Sequence, residues 1–214
     1  MTEQKTIMIT GVIGLLAATL VGIGEFLLHF DPLARYGDGF TFFNAISQDR
    51  ATLGHFIGLL SAPLYIVGAY HLYLMLRPAH EVAARIAGFA MAYGCAVGAV
   101  WIGSRSMAVE LVANGSVAEQ LALYTLRYES LLTVLRAVIL VVSGIMIWLC
   151  LTGRSLYPRK MALLNPIFLI IVAFIIFFTM PAVGKYIMPI ALNVAYFTIF
   201  VVSLIIASKL PKEG

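Results

Sequence analysis

The stretch GIGEFLLHFDPL, residues 22–33, decides the reading, because it closes an apolar run that opens with IMITGVIGLLAATLV at residues 7–21. The run is long enough to cross a bilayer, since about 20 helical residues span roughly 30 Å of hydrocarbon. It nevertheless finishes on Glu25, His29 and Asp31, and hydrocarbon penalises ionisable side chains. A cleaved signal peptide would show small residues at this point, so the segment reads as a retained helix.

The rest of the chain repeats the apolar pattern. Of 214 residues, 62% are hydrophobic and only 11% charged, and the mean hydropathy is +0.99. That composition excludes a soluble globular domain. Six apolar stretches, centred on residues 7–28, 53–76, 85–103, 130–151, 161–180 and 187–208, predict an all-α integral membrane protein of six transmembrane helices. No linker, low-complexity segment or internal repeat divides it, and residues 1–214 read as one domain. Cys95 and Cys150 both fall inside apolar stretches, so no structural disulfide is expected.

Orientation follows from the cations of the short connections. Lys5, Arg77, Arg85, Arg154, Arg159, Lys160, Lys209 and Lys212 fall on one side. Arg35, Arg50, Arg105 and Lys185 fall on the other, interleaved with Asp31, Asp38, Asp49, Glu110 and Glu119. Both termini are therefore expected in the cytoplasm. A net charge of +4 reflects this bias and gives no reason to expect nucleic acid as a partner. In SRSMAVELVANGSVAEQLALYTLRYES, residues 104–130, helical spacing continues on both sides of Asn114-Gly115, with Ser116 and Glu119 as a capping box. The third and fourth helices should thus project outward as a hairpin. The first outer connection carries Tyr36, Phe40, Phe42 and Phe43, which suits either an interfacial lid or an aromatic anchor.

Small and polar residues mark the faces turned toward protein. Gly11, Gly14, Ala18, Gly22, Glu25 and His29 follow at spacings of three or four, as do Gly54, Gly58, Ser61, Tyr65 and Gly68. The fourth segment shows Glu129, Thr133, Arg136 and Ser143, and the sixth Pro189, Asn193, Tyr196 and Ser203. At about 1.5 Å per residue, Glu25, His29, His55, Glu129, Arg136 and Asn193 all fall in the outer half of the membrane.

This convergence makes Glu25, His29, Glu129 and Arg136 the candidate catalytic residues, with Tyr65, Arg105, Asn193 and Tyr196 as candidate substrate contacts. In one version Glu25 and His29 act as base and acid while Arg136 holds the substrate's polar end. In another, Glu25, His29 and His55 ligate a divalent metal such as zinc. A structural reading competes, in which Glu25 simply neutralises Arg136. His71 and His80 read as bland, and the tyrosines at 65, 73, 124, 128, 186 and 196 as anchors or packing. The expected function is a membrane-embedded enzyme acting on a lipid or isoprenoid-like molecule. The alternatives are a transporter or binding protein without chemistry, and a cytochrome with one b haem between His29 and His55. The oligomeric state is not legible.

The segments GEFLLHFDP (24–32) and ISQDRATLGHFIGLLSAPLYIVGAYHLYLMLRP (46–78) resemble the first two helices of a group of small bacterial membrane proteins of unknown function. In that group the first helix ends in a Gly-acid-x-Leu-Leu-aromatic pattern; here Glu25 is the acid and His29 follows the leucines. The resemblance covers about the first 80 residues and implies a multi-pass protein of the bacterial inner membrane, without an activity. The chain lacks the HExxH signature of zinc proteases. It also lacks the late-helix histidines of the intramembrane ceramidase and adiponectin-receptor-like hydrolases.

Overall fold

The computed structural model describes residues 2–36, 40–115 and 118–211, apart from the side chains of Ala118 and Glu119. The capping box of Ser116 with Glu119, and the charges of Asp38 and Lys212, lie outside what is described. Among the described residues every regular element is helical. The α-helices are α1 (Glu3–His29), α2 (Gln48–Ser61), α3 (Leu64–Leu76), α4 (Glu81–Ala113), α5 (Ala118–Leu151), α6 (Pro166–Thr179), α7 (Pro181–Ile187) and α8 (Ala191–Ala207). Short 3-10 turns cover Thr41–Ala45, Arg159–Leu164 and Met188–Ile190.

Local chemistry sets the helix ends. Ser47 accepts from the Arg50 amide to open α2, and Asn165 accepts from the Phe168 amide with Pro166 in the first turn of α6. His80, expected to be bland, accepts from the Ala83 amide and opens α4. Gly115 follows Asn114 at the end of α4 with φ +60, the left-handed position that a glycine fills without strain.

Four segments are long and apolar enough to cross a membrane: Glu3–His29, Glu81–Ala113, Gln120–Leu151 and Pro181–Ala207. The expected single helix over 53–76 is instead α2 and α3, bent by 42° at Ala62-Pro63, and the pair makes a fifth candidate. Proline supplies the bend, because it lacks an N–H and its ring clashes with the preceding turn. The expected helix over 161–180 resolves into a 3-10 turn and the 14 residues of α6. Met180-Pro181 then reverses the chain into α7.

α1 is the axis of the bundle, packed by α2, α3 and α8, while α4 closes against α2, α3 and α5. The crossing of α1 and α2 is backbone against backbone: a Cβ added to Gly24 would lie 2.6 Å from the Gly58 Cα and 2.8 Å from the Gly54 oxygen. Small residues permit that approach, the usual device between membrane helices. At one end, Gln4 Nε2 donates to the Ala207 and Leu210 carbonyls, and Arg77 pairs with Glu3 at 2.7 Å. The two described ends of the chain therefore lie at the same end of the bundle.

Candidate functional site

Glu25 lies about 33 Å along α1 from Glu3, and Arg105 about 36 Å along α4 from Glu81, at 1.5 Å per residue. The two helices run in the same direction and bring these groups to one level. Arg105 is wholly buried, and its Nη1 donates to Glu25 Oε1 at 3.1 Å. Asn193 of α8 donates through Nδ2 to the other carboxylate oxygen at 2.5 Å, and its Oδ1 accepts from the Tyr65 hydroxyl of α3 at 2.7 Å. Four helices thus share one buried polar chain. An ion pair taken from water gains little net stability, but each of its charges depends on the other.

Aromatic rings enclose the guanidinium. Its Cζ sits 3.7 Å from the Trp101 ring centroid and 5.9 Å from that of Tyr128. Phe40, from the connection before α2, packs edge-on against Tyr124 and Tyr128 at 5.1 and 5.2 Å. Phe42 and Phe43 are buried beside it, so the aromatic connection covers this end of the bundle. Arg50 fastens the connection, donating to the Phe26 and Phe30 carbonyls at 3.0 and 2.7 Å and so satisfying the end of α1. Asp31 accepts from Arg35 Nε at 2.6 Å and from the Leu33 and Arg35 amides. Burial alone would raise the Asp31 pKa, but these bonds and the Arg35 charge hold it below the ordinary 3.8.

An apolar cleft runs from the polar chain along α4 and α5. Its enclosed space is small, about 70 Å³. Glu25, Asn193, Tyr65, Tyr196 and Trp101 line its polar end, and Cys95, Gly98, Leu135, Val138, Ile139 and Leu192 line the rest. Ile139 of α5 and Leu192 of α8 are both half-buried.

The remaining expected site residues lie elsewhere. Glu129 and Arg136 are exposed on α5 and face each other at 3.5 Å, so the expected pairing of Glu25 with Arg136 is replaced by Glu25 with Arg105. The cause is rotational. α5 turns Tyr124, Tyr128, Leu135 and Val142 inward, and Glu129 and Arg136 stand one residue, about 100°, off that stripe. Ser143 shares their face yet is buried, because α6 begins there and the Ile167 amide donates to its Oγ.

The histidines do not converge either. His29 packs against Phe42 and Tyr36 at 4.6 and 5.3 Å between ring centroids. His55 turns to α4, with Nδ1 3.2 Å from the Gly103 carbonyl and 3.1 Å from Ser106 Oγ. Neither lines the cleft. Among the described residues, no three His, Cys, Asp or Glu side chains are placed to hold a metal ion. Metal chemistry through Glu25, His29 and His55, and a haem between the two histidines, thus lack a common space.

His71, read as bland, is buried in a hydrogen-bonded cluster. Its Nδ1 lies 2.9 Å from the Ile7 carbonyl and its Nε2 2.6 Å from Ser203 Oγ, which also meets the Tyr157 hydroxyl at 2.9 Å. A carbonyl only accepts, so Nδ1 carries the proton and Nε2 accepts from Ser203. This second polar cluster ties α1, α3, α8 and the connection after α5 together. Its signal in the sequence was present but unread: Thr10, His71 and Ser203 all sit on faces marked by small residues.

Fold and site define an all-helical protein with membrane-length spans, built around a buried carboxylate–guanidinium pair at the head of an apolar cleft. The chain belongs to a family of unknown function, DUF6796, which it matches over residues 1–210. No curated protein and no solved structure matches it.

Proposed function

We propose that the protein is a membrane-embedded enzyme that takes a lipid or isoprenoid-like molecule into the cleft, with Glu25 as its acid–base group. The carrying observation is the placement of the Glu25–Arg105 pair at the buried end of an otherwise apolar cleft. Ionisable groups at membrane depth are functional candidates by default, and a mostly apolar pocket with a few convergent polar groups is the usual form of a small-molecule site. Half-buried Ile139 of α5 and Leu192 of α8 line the cleft, which is compatible with a substrate arriving sideways from the bilayer between these two helices.

Six spans with both termini cytoplasmic, in the inner membrane of a bacterium, form the topology of this proposal. Parity supports it: the chain begins and ends at one end of the bundle, which needs an even number of crossings. The four long spans and the bent pair make five, and α6, lengthened by its flanking turns, makes six. The cations of the connections set the cytoplasmic side, and the cleft's polar end then faces outward.

Mass spectrometry of small molecules retained by the detergent-purified protein tests the proposal. The Gly98→Leu variant fills the cleft beside Leu135. A lipophilic molecule should accompany the native protein and be lost from the variant; bulk phospholipid alone, equal in both, contradicts the proposal. A binding or transport role without chemistry is the second reading. One observation favours it: both Glu25 oxygens are engaged, by Arg105 and Asn193, so a base must first release one partner.

A further inference from the structure

A second space, sharing no residue with the cleft, runs as an open groove between α3 and α4 and holds about 360 Å³. Its floor is made of small residues. Ala69 and Gly88 are buried there and Ala92 is half-buried, and a Cβ added to Gly88 would lie 3.1 Å from the Tyr73 Cβ. Tyr70 and Phe89 line it too and are exposed. From Arg85 to Ala92 the groove follows α4 for about 10 Å at 1.5 Å per residue, which keeps it within one leaflet of a hydrocarbon core about 30 Å thick. An apolar groove of that length suits the upper part of one acyl chain.

The groove ends on charge that a ligand can reach. Arg85 lines it beside Tyr73, with its side chain 59% exposed. Its Nη2 donates to Glu81 Oε1 at 3.0 Å, and the Tyr73 hydroxyl donates to the same oxygen at 2.6 Å. That bond uses one of the guanidinium's five N–H donors, which leaves donors for a phosphate. Charge complementarity then selects the headgroup. Arg85 and Glu81 balance each other, as do the neighbouring Arg77 and Glu3. A purely anionic headgroup on Arg85 would set its charge against Glu81 with nothing to offset the repulsion. A phosphoethanolamine headgroup carries both signs, and its ammonium, two carbons beyond the phosphate, meets the carboxylate. We propose that the α3–α4 groove binds phosphatidylethanolamine, with one acyl chain along Ala69, Gly88 and Ala92, the phosphate on Arg85 and the ammonium on Glu81. The inference rests on the membrane reading and not on the cleft, so the two stand or fall separately.

Native mass spectrometry of the full chain, stripped of lipid in detergent and titrated with dioleoyl phosphatidylethanolamine or dioleoyl phosphatidylglycerol, tests the assignment. Phosphatidylethanolamine should be retained more tightly by about fivefold, the scale of one exposed ion pair. Glu81→Gln leaves Arg85 unbalanced and should turn the preference toward phosphatidylglycerol. Ala92→Phe fills the groove and should abolish retention of both lipids. Location is read on the native protein with phosphatidylethanolamine that carries a diazirine in one acyl chain: photoadducts should concentrate in residues 66–73 and 85–92. Phosphatidylglycerol held as tightly as phosphatidylethanolamine by the native protein overturns the headgroup assignment. Adducts spread evenly over the exposed helices, or native dimers that Ala92→Phe separates, overturn the groove as a lipid site, the second by giving it to another copy of the chain. The titration and the photolabelling need only the native protein, so the inference stays testable if a variant does not fold.

Discussion

Arg105 is the residue on which the centre turns. Replacing it with Gln leaves the Glu25 carboxylate buried without its cation, and removal of one partner from a buried pair costs ~3–5 kcal/mol. The Arg105→Gln variant should lose that amount in denaturant unfolding from detergent, and the Glu25→Gln/Arg105→Gln double variant should recover most of it. A double variant no more stable than the single would show that the charges do not depend on each other. Asp31 carries the pH dependence of the aromatic connection. Its folded pKa is lowered below 3.8, so its stabilisation is fully present above the unfolded value and fades as pH falls through the folded one. Asp31→Asn should therefore reduce stability between pH 5 and pH 8 by on the order of 2 kcal/mol for lost charged hydrogen bonds, read as a lower melting temperature. The difference should begin to close only below about pH 3.8 and vanish below the lower, folded pKa. Equal melting at neutral pH would remove Asp31 from the scaffold.

Elements explain what the sequence made legible. The small stripe of α1 was plain because glycine and alanine at three- and four-residue spacing have few other causes, and it placed Glu25 toward protein. Asn193, Tyr65 and Tyr196 followed from the same rule. Glu129 and Arg136 misled because their spacing on α5 resembles a buried stripe, although the face that is buried carries Tyr124 and Tyr128. Aromatic rings suit an interface as well as a core, so spacing alone could not separate the two faces. Arg105 was legible as a candidate contact but not as the partner of Glu25: it was counted among the cations of the outer connection, whereas it lies within α4 and is wholly buried. Gly24 also escaped, since it lies off the stripe that contacts α3 and α8. It is the tightest point of the α1–α2 crossing, and Gly24→Val should cost ~1–3 kcal/mol by overpacking. A variant as stable as the native protein would mean that the helices can separate there freely.

Across the whole molecule, the proposal joins topology to chemistry. A reporter fused after Gly214 should be active only in the cytoplasm, and one inserted at Gly115 only outside; the opposite pattern would move the cleft's polar end to the inner leaflet. The central claim is that the Glu25–Arg105 centre converts a lipophilic substrate. It is tested most directly by comparing the extractable lipids of a strain lacking the protein, restored with either the native chain or the Glu25→Gln/Arg105→Gln variant at matched abundance. The account predicts that one lipophilic species accumulates without the protein, returns to its normal level with the native chain and stays high with the variant. An unchanged lipid profile, or full restoration by the variant, would contradict it.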